Sequence, residues 1–308
     1  MTRLETDTRL DNMAEPSLPP AIVVALTGAI DYAGLFPPAS ETLAVAVDGF
    51  DTCRTSEDRW ALGRFVVPAS RLPELAALLG LRDAAGWRGA RISATVAGTV
   101  ELELVRDFNG TSHSGERVDA IEVKLTADEA FQDLADRLPA GVIGYVELPL
   151  DDRMAGRLDR LKAHRLRAKI RMGGVTPVLF PNPNQVAAFL RGVTQIGLPF
   201  KATAGLHHPL RGEYRLTYEP GGARGTMFGF VNLILATLVT LGGGPDRQIV
   251  EALEERDPGA CRAEGAALVW RQRRFGADQL AELRSLFDGF GSCSFREPMD
   301  ELGPAFAQ

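Results

Sequence analysis

From residue 60 onward, short apolar runs of strand character recur at nearly even spacing, and no other feature constrains the fold as much. The runs at 64–67, 91–96, 120–125, 143–148, 168–172 and 199–204 begin 23 to 31 residues apart. One strand, one helix of two or three turns and two short loops need about that much chain. The segments between the runs carry helix signals. Thr126-Ala127-Asp128-Glu129 reads as a capping box ahead of the stretch 130–138, which Pro139 and Gly141 stop. Asn182-Pro183 precedes the amphipathic run 185–196, ended by Gly197 and Pro199. Residues 72–81 are apolar at helical spacing. Residues 100–108 suit either helix or strand, and the alternation requires helix.

Six strand–helix units in series imply a parallel sheet with right-handed crossovers. The residues after 204 are enough for two more units, so the expected fold is α/β, a closed (β/α)8 barrel of the TIM type rather than an open sheet. The seventh strand is expected near 267–270 and the eighth at 292–295, after a helix at 277–287. Residues 21–60 read as a helical extension ahead of the barrel, with 30–38 as a loop. Residues 1–20 read as a mobile tail and 21–308 as one barrel domain, since no linker interrupts them.

The chain has 308 residues, 45% of them apolar and 24% charged, so a core can form without a disulfide or metal staple. A net charge of -6 argues against a nucleic-acid partner but not against a local basic pocket. Cys53, Cys261 and Cys293 show no metal-ligand spacing. With no secretory leader in 1–20, they suit a reducing compartment, and a cytoplasmic location is expected. The longest apolar run, 227–241, falls short of the ~20 residues that span a bilayer. It reads as a core helix or a subunit interface, which leaves a homo-oligomer open and gives no reason to expect a membrane partner.

Strands buried on both faces should read as continuous aliphatics. Here charge and aliphatic alternate: Glu122 and Lys124, Tyr145 and Glu147, Lys169 and Arg171, Lys201 and Thr203 each share one parity. Successive side chains point to opposite faces, so these eight converge on the barrel axis. Four basic groups against two acidic ones suggest a small anionic partner, a carboxylate or phosphate. Lys124, Glu147, Arg171 and Thr203 belong nearest the C-terminal mouth, where such barrels act. The plainer reading is a structural ion network, Glu122 with Lys124 or Lys169 and Glu147 with Arg171.

The stretch Pro199-Phe200-Lys201-Ala202-Thr203-Ala204-Gly205-Leu206-His207-His208-Pro209 places a lysine on the sixth expected strand and two of the four histidines just beyond it. Desolvation and a neighbouring cation, Lys169, both favour a neutral amine at Lys201, and such an amine can form a Schiff base. Lys201-Ala202-Thr203-Ala204-Gly205 is similar to the Lys-Thr-Ser-Thr-Gly strand of deoxyribose-phosphate-aldolase-like class I aldolases. Several class I aldolases form their Schiff base on a sixth-strand lysine, so the resemblance, five residues long, implies that role for Lys201. The family's second lysine lies on the seventh strand, whereas Lys169 falls on the fifth by this count. Taken whole, the chain resembles an uncharacterised bacterial protein family carrying IDYAGLFPPA, KATAGLHHP and FGSCSF segments.

The expected activity is therefore that of a lyase acting on a small anionic carbonyl compound. Lys201, Glu147, Lys169 and His207 are the catalytic candidates. Arg171, Lys124, Glu122, Tyr145, Thr203, His208, Ser292 and Ser294 are the substrate-binding candidates, with no cofactor or metal called for. Two alternatives stand beside it. One is a metal-dependent lyase, isomerase or hydrolase using His207, His208 and Glu147 or Glu122. The other is a non-catalytic binding barrel. Ser292 and Ser294, at the expected end of the eighth strand, suit phosphate binding, and parity sends Cys293 outward. His113 and His164 read as surface residues, and Gly221 to Gly225 as a lid hinge or a long connection. No Rossmann, P-loop or Ser-hydrolase motif occurs.

Overall fold

In the computed structural model, which describes residues 18–81, 84–111, 115–125 and 130–306, eight parallel strands close into a barrel. Seven follow in turn: β1 (Ile30–Tyr32), β2 (Leu62–Pro68), β3 (Arg91–Val96), β4 (Arg117–Lys124), β5 (Ile143–Glu147), β6 (Arg167–Arg171) and β7 (Phe200–Thr203). An insertion comes next, formed by the hairpin β8 (Gly212–Arg215) and β9 (Arg224–Met227) and the antiparallel sheet β10 (Cys261–Glu264), β11 (Ala267–Trp270) and β12 (Arg273–Phe275). Strand β13 (Phe287–Ser292) then closes the cylinder between β7 and β1. The helices are α1 (Pro20–Leu26), α2 (Leu43–Thr55), α3 (Leu72–Gly80), α4 (Leu102–Thr111), α5 (Ala130–Arg137), α6 (Met154–Ala163), α7 (Pro183–Ile196), α8 (Phe230–Leu241), α9 (Asp246–Glu254), α10 (Ala277–Leu286) and α11 (Arg296–Phe306).

The barrel expected from the spacing is present, but its strand count shifts. Ile30-Asp31-Tyr32, expected as a loop, is the first barrel strand, paired to Phe290 and Ser292 on one side and Leu62 and Phe65 on the other. Every expected strand therefore moves up by one: Lys169 stands on the sixth barrel strand and Lys201 on the seventh. Residues 267–270 are a strand, but of the outer sheet and not of the barrel. The eighth strand starts at Phe287, five residues before the expected 292. Residues 102–111 are helical, as the alternation requires. The expected capping box at 126–129, His113 and residues 1–17 lie outside the described residues.

Aliphatic parity faces the helices. Ile121, Val123, Val146, Ile170, Phe200 and Ala202 are fully or almost fully buried beneath them. Phe189 of α7 meets Phe200 of β7 edge to face at 5.4 Å. Helix α7 starts at a reciprocal cap, in which Asn182 accepts from the Gln185 amide and Gln185 accepts from the Asn182 amide. It ends at Gly197, whose φ of 61° is left-handed. Helix α8 is buried along its length and packs on α7, α9 and α10, so the apolar run is core within one chain. Among the described residues no helix is long and apolar enough to cross a membrane. Gly221 and Gly222 form the tip of the β8–β9 hairpin rather than a connection to α8.

Candidate active site

Inward parity assembles one row of alternating charge. Lys201 Nζ lies 2.5 Å from Asp31 Oδ2 and 2.6 Å from Glu122 Oε1. Glu122 Oε2 is 2.9 Å from Lys169 Nζ, which is 3.2 Å from Glu147 Oε2. Glu147 Oε1 accepts from Arg171 Nε at 3.0 Å. Neighbouring strands set the row, because Lys169 is the register partner of both Lys201 and Glu147. Ser93 donates to Glu122 at 2.8 Å, and the Arg64 amide donates to Asp31 at 2.6 Å. Asp31 thus offsets one cation of the expected basic excess. Lys124, exposed at the rim, has no ion-pair partner among the described residues.

Burial by itself would raise the Glu122 carboxyl, but Lys169 and Lys201 overcome it and hold it well below the carboxylate range. Glu147 is likewise lowered: burial opposes, and Lys169 and Arg171 prevail. Burial would lower the Lys201 ammonium, yet Asp31 and Glu122 raise it above the ordinary lysine value. Lys201 is therefore a fixed cation. It is 1% exposed and sealed beneath the cavity floor.

The cavity opens at the C-terminal strand ends and has a volume of about 430 Å³. Lys169, Glu147, Arg171, Lys124 and Glu122 give it a charged side, and Phe36, Val66, Val96 and Leu179 an apolar one. Thr203 and His207 also line it. The Thr203 hydroxyl is buried without a hydrogen-bond partner among the described residues. The loops after β6 and β7 meet closely, and a Cβ on Gly205 would fall 2.9 Å from Gly173 Cα. Gly205 also has φ of 69°, so glycine is required twice over.

Several expected site residues lie elsewhere. Tyr145 is fully buried and donates to Asp288 at 2.8 Å, at the closed end with Arg167, away from the cavity. Cys293 does not point outward but lines the cavity, because β13 ends at Ser292 and the alternation ends with it. Ser292 and Ser294 turn instead into the start of α11. Ser292 Oγ donates to the Ser294 carbonyl at 2.6 Å, and Ser294 Oγ accepts from the Glu297 amide at 3.2 Å. His164 sits half-buried at the end of α6.

The two histidines diverge. His207 Nδ1 is 3.0 Å from Glu297 and 3.3 Å from Ser292 Oγ. His208 stacks on Tyr214 at 3.5 Å and is 2.9 Å from Glu301, outside the main cavity. Among the described residues, no three His, Cys, Asp or Glu side chains are arranged to hold a metal ion, so the pairing of both histidines with Glu147 or Glu122 is not formed. Burial would lower the His207 imidazole, but its hydrogen bonds to Cys293 and Glu297 prevail and raise it to about 9.

The residues missed from the sequence are Asp31, Ser93, Cys293, Tyr218 and Glu297. Asp31 sits on β1, which has only three residues and so shows no alternation, and Ser93 on β3 shares its parity with an exposed Arg91 and carries no charge to mark it. Glu297 and Tyr218 reach the mouth from α11 and the hairpin, which no local pattern announces. No family model matches the chain, and neither a curated protein nor a solved structure does.

Proposed function

We propose that this barrel is a lyase of the aldolase kind, which forms a Schiff base between Lys169 and a small anionic carbonyl compound. One observation carries the reading: a strand-six lysine faces a cavity between two carboxylates, with a second, permanently charged lysine in register on strand seven. The resemblance to class I aldolases, carried by Lys201 to Gly205, implies the amine at Lys201. The cavity lining favours Lys169, one barrel strand earlier, since Lys201 does not line it. The amine role is accordingly assigned to Lys169 and not to Lys201, which is sealed from the cavity.

The residues support a sequence of steps. An anionic substrate engages Lys124 and Arg171, whose side chain is 43% exposed. As Arg171 turns to the ligand, Glu147 loses one of the two cations that lower it and becomes a better base. It stands 3.2 Å from Lys169 Nζ, within reach of its proton. The neutral amine attacks the carbonyl carbon, and the carbonyl oxygen leaves as water after taking two protons. The iminium then takes up the electron pair of the bond between its α and β carbons while the β hydroxyl gives up its proton, so that a carbonyl fragment leaves and an enamine remains on Lys169 to be protonated and hydrolysed. Lys201 keeps Glu122 anionic throughout and acts as a positioning residue.

Borohydride reduction in the presence of 2-oxo acids and phosphorylated aldehydes, followed by peptide mass mapping, tests this. The expected result is a reduced adduct on Lys169, absent from Lys169→Met. Arg171→Ala should weaken the trapping concentration dependence on the order of tenfold. An adduct on Lys201 would return the amine role to that residue, and no adduct across the panel would overturn the reading. A melting temperature unmoved by every anion would favour a non-catalytic barrel.

A further inference from the structure

Of the three cysteines, Cys53 and Cys261 are packed in the core, where burial pushes their thiols up to about 11 and about 12. Cys293 alone lines the cavity. Its Sγ lies 3.8 Å from His207 Nδ1, 3.9 Å from His207 Nε2 and 3.4 Å from the Tyr218 hydroxyl. Glu297 Oε2 accepts from Tyr218 at 2.8 Å and pairs with His207 Nδ1 at 3.0 Å. With Nδ1 donating to Glu297, the ring lies against the sulfur as a cation. The Glu297 amide is fixed by Ser294, so the first turn of α11 places both the carboxylate and a positive helix end beside the sulfur.

We propose that Cys293, activated by His207 and Glu297, is a second nucleophile of this cavity, one that adds to small electrophilic carbons carrying a negative charge. The arrangement sets a nucleophile beside a proton-donating cation and its orienting carboxylate, parts that covalent catalysis uses. Groups facing the sulfur come from four elements: Tyr32 from β1, His207 from the loop after β7, Tyr218 from the hairpin and Glu297 from α11. Tyr32 donates to Glu41 at 2.7 Å, and its hydroxyl is raised by burial first and then by Glu41, so it stays neutral. His207, raised to about 9, is the one cation of this group. Arg171 and Lys124 on the same cavity supply the attraction for an anion. With an aldehyde, the sulfur–carbon bond forms as the carbonyl π bond breaks, and the oxygen takes the proton held on His207. The product is a hemithioacetal and no oxidant is needed. With iodoacetate, the sulfur–carbon bond forms and iodide leaves.

The proposal does not rest on Lys169, and alkylation separates the two. The folded protein is treated with iodoacetate or with neutral iodoacetamide, and the modified peptides are mapped by mass. One adduct on Cys293 is expected, with Cys53 and Cys261 unmodified, and neutral iodoacetamide should still modify Cys293 in Lys169→Met, where no Schiff base can form. Glu297→Gln and His207→Asn should each slow the reaction on the order of tenfold, and Arg171→Ala should remove the advantage of iodoacetate over iodoacetamide. If His207→Asn does not fold, Glu297→Gln alone decides. Equal modification of Cys53 or Cys261, or an unchanged rate in the variants that fold, would overturn the proposal.

Discussion

His207 is buried against a thiol and a carboxylate that favour its charged form, so its pKa rises from 6.5 to about 9 on folding. A group raised in this way contributes its full stabilisation below pH 6.5, and that contribution is lost as pH climbs through about 9. The effect amounts to about 3 kcal/mol at most. Urea midpoints at pH 6 and pH 9.5 should show the parent losing this much more than His207→Asn. Equal losses in the two proteins would refute it. At this scale the sequence was legible wherever a strand was long enough to alternate: Glu122, Glu147, Lys169 and Arg171 all face inward as their parity requires. It was not legible at Asp31, where β1 is too short to alternate, nor at Cys293, where parity was carried one residue past the end of β13.

Among the elements, the insertion between β7 and β13 depends on a single side chain. Asn232, fully buried on α8, donates to the Ala252 and Glu255 carbonyls at 2.7 and 2.9 Å and accepts from the Arg211 amide at 2.8 Å. It ties the end of α9 and the base of the hairpin to one helix. Asn232→Leu leaves three backbone groups unmet, with an expected cost of about 3 kcal/mol or more. Denaturant titration measures this, and a loss below ~1 kcal/mol would show that water replaces the amide. Strand β11 illustrates why elements can be found and still be misassigned. Ala267–Trp270 has strand composition, but pairing partners from β10 and β12 are only a few residues away, and it pairs with them and not with the barrel.

For the whole molecule, closure of the cylinder is decided at β13 against β1. Gly289 has φ of 145°, and a Cβ there would lie 2.3 Å from the Ala29 carbonyl oxygen, which accepts from the Phe290 amide at 2.7 Å. Gly289→Ala must therefore strain the backbone or break that bond, at about 3 kcal/mol or more. Thermal unfolding should register it as a drop of several degrees, whereas Gly110→Ala, in open space, should leave the melting temperature nearly unchanged. A comparable drop in both would refute the seam argument. The barrel as a class was readable from repeat spacing alone, because each strand–helix unit occupies a similar length of chain. Which strand comes first was not, because β1 gains its identity only from partners at both edges.

Asp31, at the inner end of the charged row, belongs to the short strand that joins the first edge of the cylinder to the last. Drawing Arg171 away at the outer end leaves Glu147 more fully to Lys169. Lys169 then releases part of Glu122, Glu122 leans on Lys201, and Lys201 slackens on Asp31. The mouth and the seam between first and last strands are thus joined by one row of ion pairs, from Arg171 to Asp31.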